Sequence, residues 1–206
     1  VYEQIARNKR QTVIYIGAFI VVWLGLGLLV GWLAAATLSR QPGTAAPVAR
    51  DVSVGVVIAA ALALAAVAFS ISSGSRLVLS IAGAEPADPK RYAQLYDLVQ
   101  ALALGDGLPM PAVYVVTDSS PNAFATGISP ARASITVTSS LLAIMDREEL
   151  EGVLGHELSH TKNYDTRLLL IVTTLLGMAA LLASVVWRGA FFVRGRGRNS
   201  GQLTVG

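Results

Sequence analysis

The sequence predicts an α+β integral membrane protein in which transmembrane helices carry a polar domain of helices and short strands. Three observations lead there. Of 206 residues, 53% are hydrophobic and only 14% charged, too apolar for an ordinary soluble domain. Three stretches free of Asp, Glu, Lys and Arg are long enough to cross a bilayer: Thr12 to Ser39, Val52 to Ser75 and Leu168 to Trp187. Between the second and third, the pattern changes to helical and strand periodicities punctuated by turn residues.

A helix rising roughly 1.5 Å per residue needs about 20 residues to cross a hydrocarbon core of about 30 Å, and each stretch supplies them. Buried helices of a large soluble protein are the competing reading, but they would need far more amphipathic partner sequence than remains. The three tryptophans, Trp23, Trp32 and Trp187, lie within these stretches, with Trp32 and Trp187 near their ends, where interfacial aromatics sit. Arg7, Lys9 and Arg10 ahead of an apolar run also suggest a signal peptide, yet the run is too long for an h-region and a second span follows closely. It reads as a retained anchor.

Charge then orients the chain. Residues 1–11 form a tail with three basic residues in its second half, and the short loop 40–51 contains Arg40, Arg50 and the helix breakers Pro42, Gly43 and Pro47. The positive-inside bias places the tail in the cytoplasm and the loop outside, so after two crossings residues 76–167 are cytoplasmic, at the face of a cell inner (plasma) membrane. The third hydrophobic segment, 168–187, is followed by Arg188, Arg194, Arg196 and Arg198 in a Gly/Arg-rich linker, 188–206, which opposes a full crossing. Spanning and re-entrant readings of it both stand. The net charge of +3 comes without a basic stripe interleaved with aromatics, so no nucleic-acid partner is expected.

Within 76–167, Asp88-Pro89 resembles an N-cap with proline at the first helical position, and Tyr92, Leu95, Tyr96, Leu98, Val99 and Leu102 recur at helical spacing. Gly105 to Pro109 stops that helix. Ala112 to Thr117 is β-branched and aromatic and reads as a strand. Ala123 to Thr126 and Ser134 to Thr138 read as two more, joined by a turn containing Gly127, Ser129 and Pro130. The next helix starts near Asp146, with Glu149 three residues on in a capping-box arrangement.

That helix carries the most informative residues, His156-Glu157-Leu158-Ser159-His160, an H-E-x-x-H pattern containing both histidines of the chain. A spacing of four places the two imidazoles on one helix face about one turn apart, where both can bind one tetrahedral Zn²⁺ at roughly 2.0–2.1 Å. Zinc acidifies a bound water and polarises a scissile carbonyl, and Glu157 is placed to take the water's proton and pass it to the leaving amine. Coincidence is the alternative, and the motif's place on a capped amphipathic helix weighs against it. With no cysteine and both histidines used, a third protein ligand must be a carboxylate, and no Asp or Glu follows Asp165 through Gly206. Asp165, five residues past His160, either orients a ligand histidine or caps the following helix.

Tyr2 to Lys9 (YEQIARNK), Pro121 to Gly127 (PNAFATG) and the stretch from Glu148 through His160 together resemble the HtpX-like membrane metalloproteases, relatives of Oma-type mitochondrial proteases and of the integral-membrane CAAX prenyl endoprotease. The likeness covers nearly the whole chain, including the order of two spans, polar domain, H-E-x-x-H and a further hydrophobic segment. It implies a cytoplasmic zincin-like domain of gluzincin type and an endopeptidase acting on misfolded or damaged membrane proteins in quality control, with a functional link to an ATP-dependent membrane protease. It implies that Asn122, Ala123 and Phe124 form an edge strand that holds extended substrate; the plainer reading makes Asn122 a turn residue after Pro121. It also implies a third zinc ligand, a glutamate in an E-x-x-x-D helix past Gly206, and hence a chain truncated at its C-terminus that by itself binds zinc weakly and leaves casein intact.

Two other functions compete. An intramembrane site-2-type protease also uses H-E-x-x-H, but Asp146, Arg147, Glu148, Glu149 and Glu151 before the motif and Lys162 and Asp165 after it make this helix too charged for lipid. A catalytically inactive membrane scaffold or adaptor with a degenerate protease domain would purify free of zinc.

Overall fold

The computed structural model describes residues 2–38 and 46–196, with the side chains at 2, 36–38, 46, 47, 181, 182 and 185–196 also outside the described residues. Two long helices, α1 (Tyr2–Leu38) and α2 (Ala46–Ile81), precede a four-stranded sheet with its helices, and α6 (Asp165–Arg196) returns along the first two. The sheet comprises β1 (Glu85–Pro86), β2 (Ala112–Val116), β3 (Ala123–Thr126) and β4 (Ser134–Thr138), and α3 (Ala93–Gly105), α4 (Ser139–Ile144) and α5 (Arg147–Lys162) lie between and after the strands. The fold is thus mixed helix and sheet.

Both Glu3–Ala35 and Val48–Ile81 are long and apolar enough to cross a membrane. Their outward faces expose Val21, Val22, Val30, Val57 and Leu64, side chains that water would not stabilise there. What draws α1 to α2 is small-residue packing. A Cβ on Gly27, Gly31 or Gly55 would lie 2.6–2.7 Å from the facing helix. Only hydrogen fits at that approach, the logic of small-xxx-small pairs in lipid. α6 joins this layer through Ala66, Ile171 and Leu175 and through a 2.5 Å hydrogen bond between the buried hydroxyls of Ser70 and Thr174.

The helices overrun the charge-free windows. α1 is helical from Tyr2, so residues 2–11 of the expected tail continue the same helix, and α2 begins at Ala46, inside the expected loop 40–51, of which 40–45 lie outside the described residues. Lys, Arg and Gln are good helix formers, and Pro47 sits in the first turn of α2, where its missing N–H has no partner to lose. α2 likewise passes Arg76 to reach Ile81, and α6 contains all of 168–187 and continues to Arg196, into the stretch expected to be linker. A charge-free window measures what lipid tolerates, which is less than what a helix tolerates.

Asp88-Pro89 does not start α3. The Asp88 carboxylate accepts from the Lys90 amide at 2.9 Å and its carbonyl from Tyr92 N–H at 2.9 Å, closing a turn, and Tyr92 itself is non-helical at φ −113°, ψ 38°. The helix proper begins at Ala93 and buries Leu95, Leu98 and Val99 on one face. The sheet order is β1-β2-β4-β3, with β2 and β4 parallel and the outer pairs antiparallel. β3 and β4 have the bounds expected, and the chain turns between them at Gly127 with φ +145°, where a Cβ would lie 2.6 Å from the Arg132 carbonyl oxygen. β2 ends one residue before Thr117.

A separate core joins α3, the sheet and α5: Leu98, Val99, Val113, Val115, Ile135, Val137, Leu154 and Leu158 are all nearly free of solvent. α5 opens on the expected capping box, with Asp146 accepting from the Glu149 amide and Glu149 accepting from the Asp146 amide. It ends at Asn163, and Tyr164, with φ +62°, turns the chain into α6. A left-handed tyrosine is strained, and it persists only where neighbours hold it.

Candidate active site

Leu150, Leu154 and Leu158 bury one stripe of α5 against the sheet. His156 and His160, each two residues beyond a buried leucine and hence about 200° further round the helix, emerge on the opposite side. Their Nε2 atoms stand 3.2 Å apart with the rings nearly perpendicular, at 84°. Two nitrogens that each lie roughly 2.05 Å from one tetrahedral ion are about 3.3 Å apart. The pair therefore already has the spacing a shared zinc requires. With a proton on one Nε2 the two rings hydrogen-bond to each other, and with both Nε2 atoms unprotonated the two lone pairs are spaced to share one cation.

The other nitrogen of His160, Nδ1, is 2.9 Å from Asp165 Oδ2. A proton on Nδ1 donated to that carboxylate leaves Nε2 with its lone pair, the tautomer a metal needs. Because Asp165 engages the far side of the ring, it does not stand beside the two Nε2 atoms as a third ligand. Among the described residues no group of three His, Cys, Asp or Glu gathers to hold a metal.

Glu157 lies between the histidines in sequence and points to the sheet, its Oε2 accepting the Ala125 amide at 3.1 Å. β3 is an outer strand of the sheet. Asn122 accepts from the Thr138 amide on the β4 side, so by the two-residue period Ala123 and Ala125 turn their backbone groups to the open edge. The motif helix and the edge strand thus meet at one place. Lys162 Nζ, 2.6 Å from Asp106 Oδ1, ties the end of α5 to the loop after α3. Both partners are over a third exposed, which makes this a modest contribution.

Residues 89–205 match the family model described as Peptidase family M48. The chain belongs to peptidase family M48. Relatives of the M48 chain named "Protease HtpX homolog" are 38% identical over 192 residues in Listeria innocua, 38% over 202 in Listeria monocytogenes serotype 4a, and 35% over 198 in Lactobacillus acidophilus. These alignments cover 93%, 97% and 96% of the M48 chain but only 59%, 62% and 62% of those relatives. It therefore spans about three-fifths of their length.

Of the residues singled out in the sequence, His156 and His160 come together, Glu157 lies beside β3, Ala123 and Phe124 lie in β3 with Asn122 just before it, and Asp165 reaches His160. Asp165 is the first residue of α6 and both its carboxylate oxygens are engaged by side chains, one by His160 and the other by Asn8. Asn8 was not foreseen at the site of this M48 chain. It lies 157 residues upstream of Asp165, where no periodicity can signal a contact, and its only sequence mark is its place in the YEQIARNK stretch.

Proposed function

We propose that the chain carries the metal-binding and general-base residues of a membrane-anchored zinc endopeptidase that hydrolyses peptide bonds of misfolded membrane proteins. The observation that carries this reading is the 3.2 Å spacing of two imidazole Nε2 atoms flanking a carboxylate on one helix. His156 and His160 would hold the ion, and a glutamate from the part of the relatives' length that this chain does not span would complete the protein ligands. Bound zinc supplies Lewis-acid polarisation of the scissile carbonyl and the attacking water. Glu157 takes the water's proton and returns it to the leaving nitrogen, while Asp165 orients His160. Extended substrate adds to the open edge of β3 along Asn122, Ala123 and Phe124, where Ala123 turns its main-chain groups outward, and main-chain hydrogen bonds there give affinity for diverse sequences. That breadth suits quality control, and with it a link to an ATP-dependent membrane protease. No position of H-E-x-x-H is altered, which leaves nothing in favour of a scaffold.

The full-length protein should lose peptide hydrolysis on exhaustive EDTA treatment and regain it when Zn²⁺ is restored. Hydrolysis that survives removal of all metal sinks this reading. Residues 76–167 are assigned to the cytoplasmic face of a multi-pass inner-membrane protein, together with the N-terminus, on the strength of the positive-inside bias. A single cysteine placed at the exposed Ser119 should resist a membrane-impermeant maleimide in intact cells and react after lysis; labelling in intact cells would reverse the orientation.

A further inference from the structure

Asn8 is 5% exposed and its environment is specific. Its Nδ2 donates to the carbonyl oxygen of Asn163 at 2.9 Å and to Asp165 Oδ1, and its own carbonyl accepts from the buried Thr12 hydroxyl at 2.8 Å. A carboxamide has two N–H hydrogens, and both are used on the corner between α5 and α6. Packing alone would favour an apolar residue here, because burying an amide costs free energy unless its hydrogen bonds are made. The next residue contributes to the same corner: Lys9 Nζ lies 4.5 Å above the ring of Tyr164, the left-handed residue that makes the turn. Asp165 reaches His160 only across that turn. Its carboxylate is held from two sides, by His160 Nδ1 on one oxygen and Asn8 Nδ2 on the other.

We propose that Asn8 is a positioning residue for the metal site: from α1 it fixes the Asp165 carboxylate, which in turn fixes the ring and tautomer of His160. This rests on the reading of His156 and His160 as metal ligands. It makes the first turns of the membrane helix part of the active site, and it gives the YEQIARNK stretch a chemical task that anchoring does not require.

The test is Co²⁺ titration of the full-length protein in detergent, followed by visible absorption, for the wild type, Asn8→Ala, Asn8→Asp, Asp165→Ala and the Asn8→Ala/Asp165→Ala pair. Groups that orient a ligand histidine typically contribute 10–100-fold in metal affinity, so Asp165→Ala should fall in that range and Asn8→Ala near about tenfold. The double variant should bind no more weakly than Asp165→Ala, because Asn8 acts through Asp165. Asn8→Asp keeps the shape and replaces the donor with an oxygen facing a carboxylate. It should weaken Co²⁺ at least as much as Asn8→Ala and keeps the test decisive if the alanine variant does not fold. Wild-type affinity in Asn8→Asp, or effects of Asn8→Ala and Asp165→Ala that simply multiply, would overturn the proposal and reduce Asn8 to a helix-docking residue. A wild type that binds no Co²⁺ would overturn the metal reading itself, a distinct result.

Discussion

Glu157→Gln is expected to lower peptide hydrolysis by the full-length protein by about 10²–10⁴-fold, the usual contribution of a positioned general base, while its zinc content stays that of the wild type. The substitution isolates one property. Glutamine has nearly the same shape and keeps an oxygen able to accept the Ala125 amide, which Glu157 Oε2 accepts at 3.1 Å, so the link between α5 and the edge strand survives. What it lacks is an anionic oxygen to receive a proton. KM should change little if substrate is held by the edge of β3, and the loss should fall on kcat. A zinc-loaded Glu157→Gln protein with near-wild-type turnover would remove Glu157 from the chemistry.

The parts of this fold that sequence could reveal are those decided locally. The capping box at Asp146 and Glu149 and the β-branched runs around Gly127 and Pro130 depend on neighbours within a few residues, and the observed α5, β3 and β4 follow them. The H-E-x-x-H pair is local too, since helix geometry alone brings two imidazoles together. Pairing decides the rest. β1 is two residues long, carries a proline, and exists because Glu85 and Pro86 lie against Val115 and Tyr114. α4 is a six-residue helix that starts immediately after β4, with the Thr138 hydroxyl accepting from the Leu141 amide; a strand residue doubling as a cap leaves no gap for a turn signal. Asp88 has the chemistry of a cap but uses it in a turn, its carboxylate accepting from the Lys90 amide, while Tyr96 in the first turn of α3 donates its hydroxyl to the Ala87 carbonyl and ties the helix to that turn. The ends of α1 and α2 escaped for a different reason: hydropathy reports a solvent, whereas helix length reports backbone propensity and tertiary contact. Asn8 is the clearest case, a charge-flanked polar residue whose partners are 155 and 157 positions away.

If His156 and His160 are the metal ligands proposed, replacing either should have a larger effect than replacing Asp165. A tetrahedral zinc site worth about 10–16 kcal/mol over four ligands loses roughly 3–4 kcal/mol with one of them, on the order of a hundred- to a thousandfold in affinity. His156→Ala and His160→Ala should each cause a loss of this size, and since two nitrogens 3.2 Å apart bind cooperatively to one ion, the remaining histidine should not retain it through purification. The two variants differ in what they leave behind. His160→Ala also strips Asp165 of its Nδ1 partner, freeing a carboxylate oxygen at the strained corner, whereas His156 has no such contact among the described residues. His160→Ala should therefore also lower thermal stability, by about 1–3 kcal/mol for a hydrogen bond to a charged group at a partly exposed site, and His156→Ala should leave it close to that of the metal-free wild type. Measuring zinc by atomic absorption and unfolding in the presence of chelator separates the two effects. Stoichiometric zinc in either variant would mean the metal is held elsewhere, and equal melting temperatures in chelator would mean that the contact between Asp165 and His160 contributes nothing without the ion.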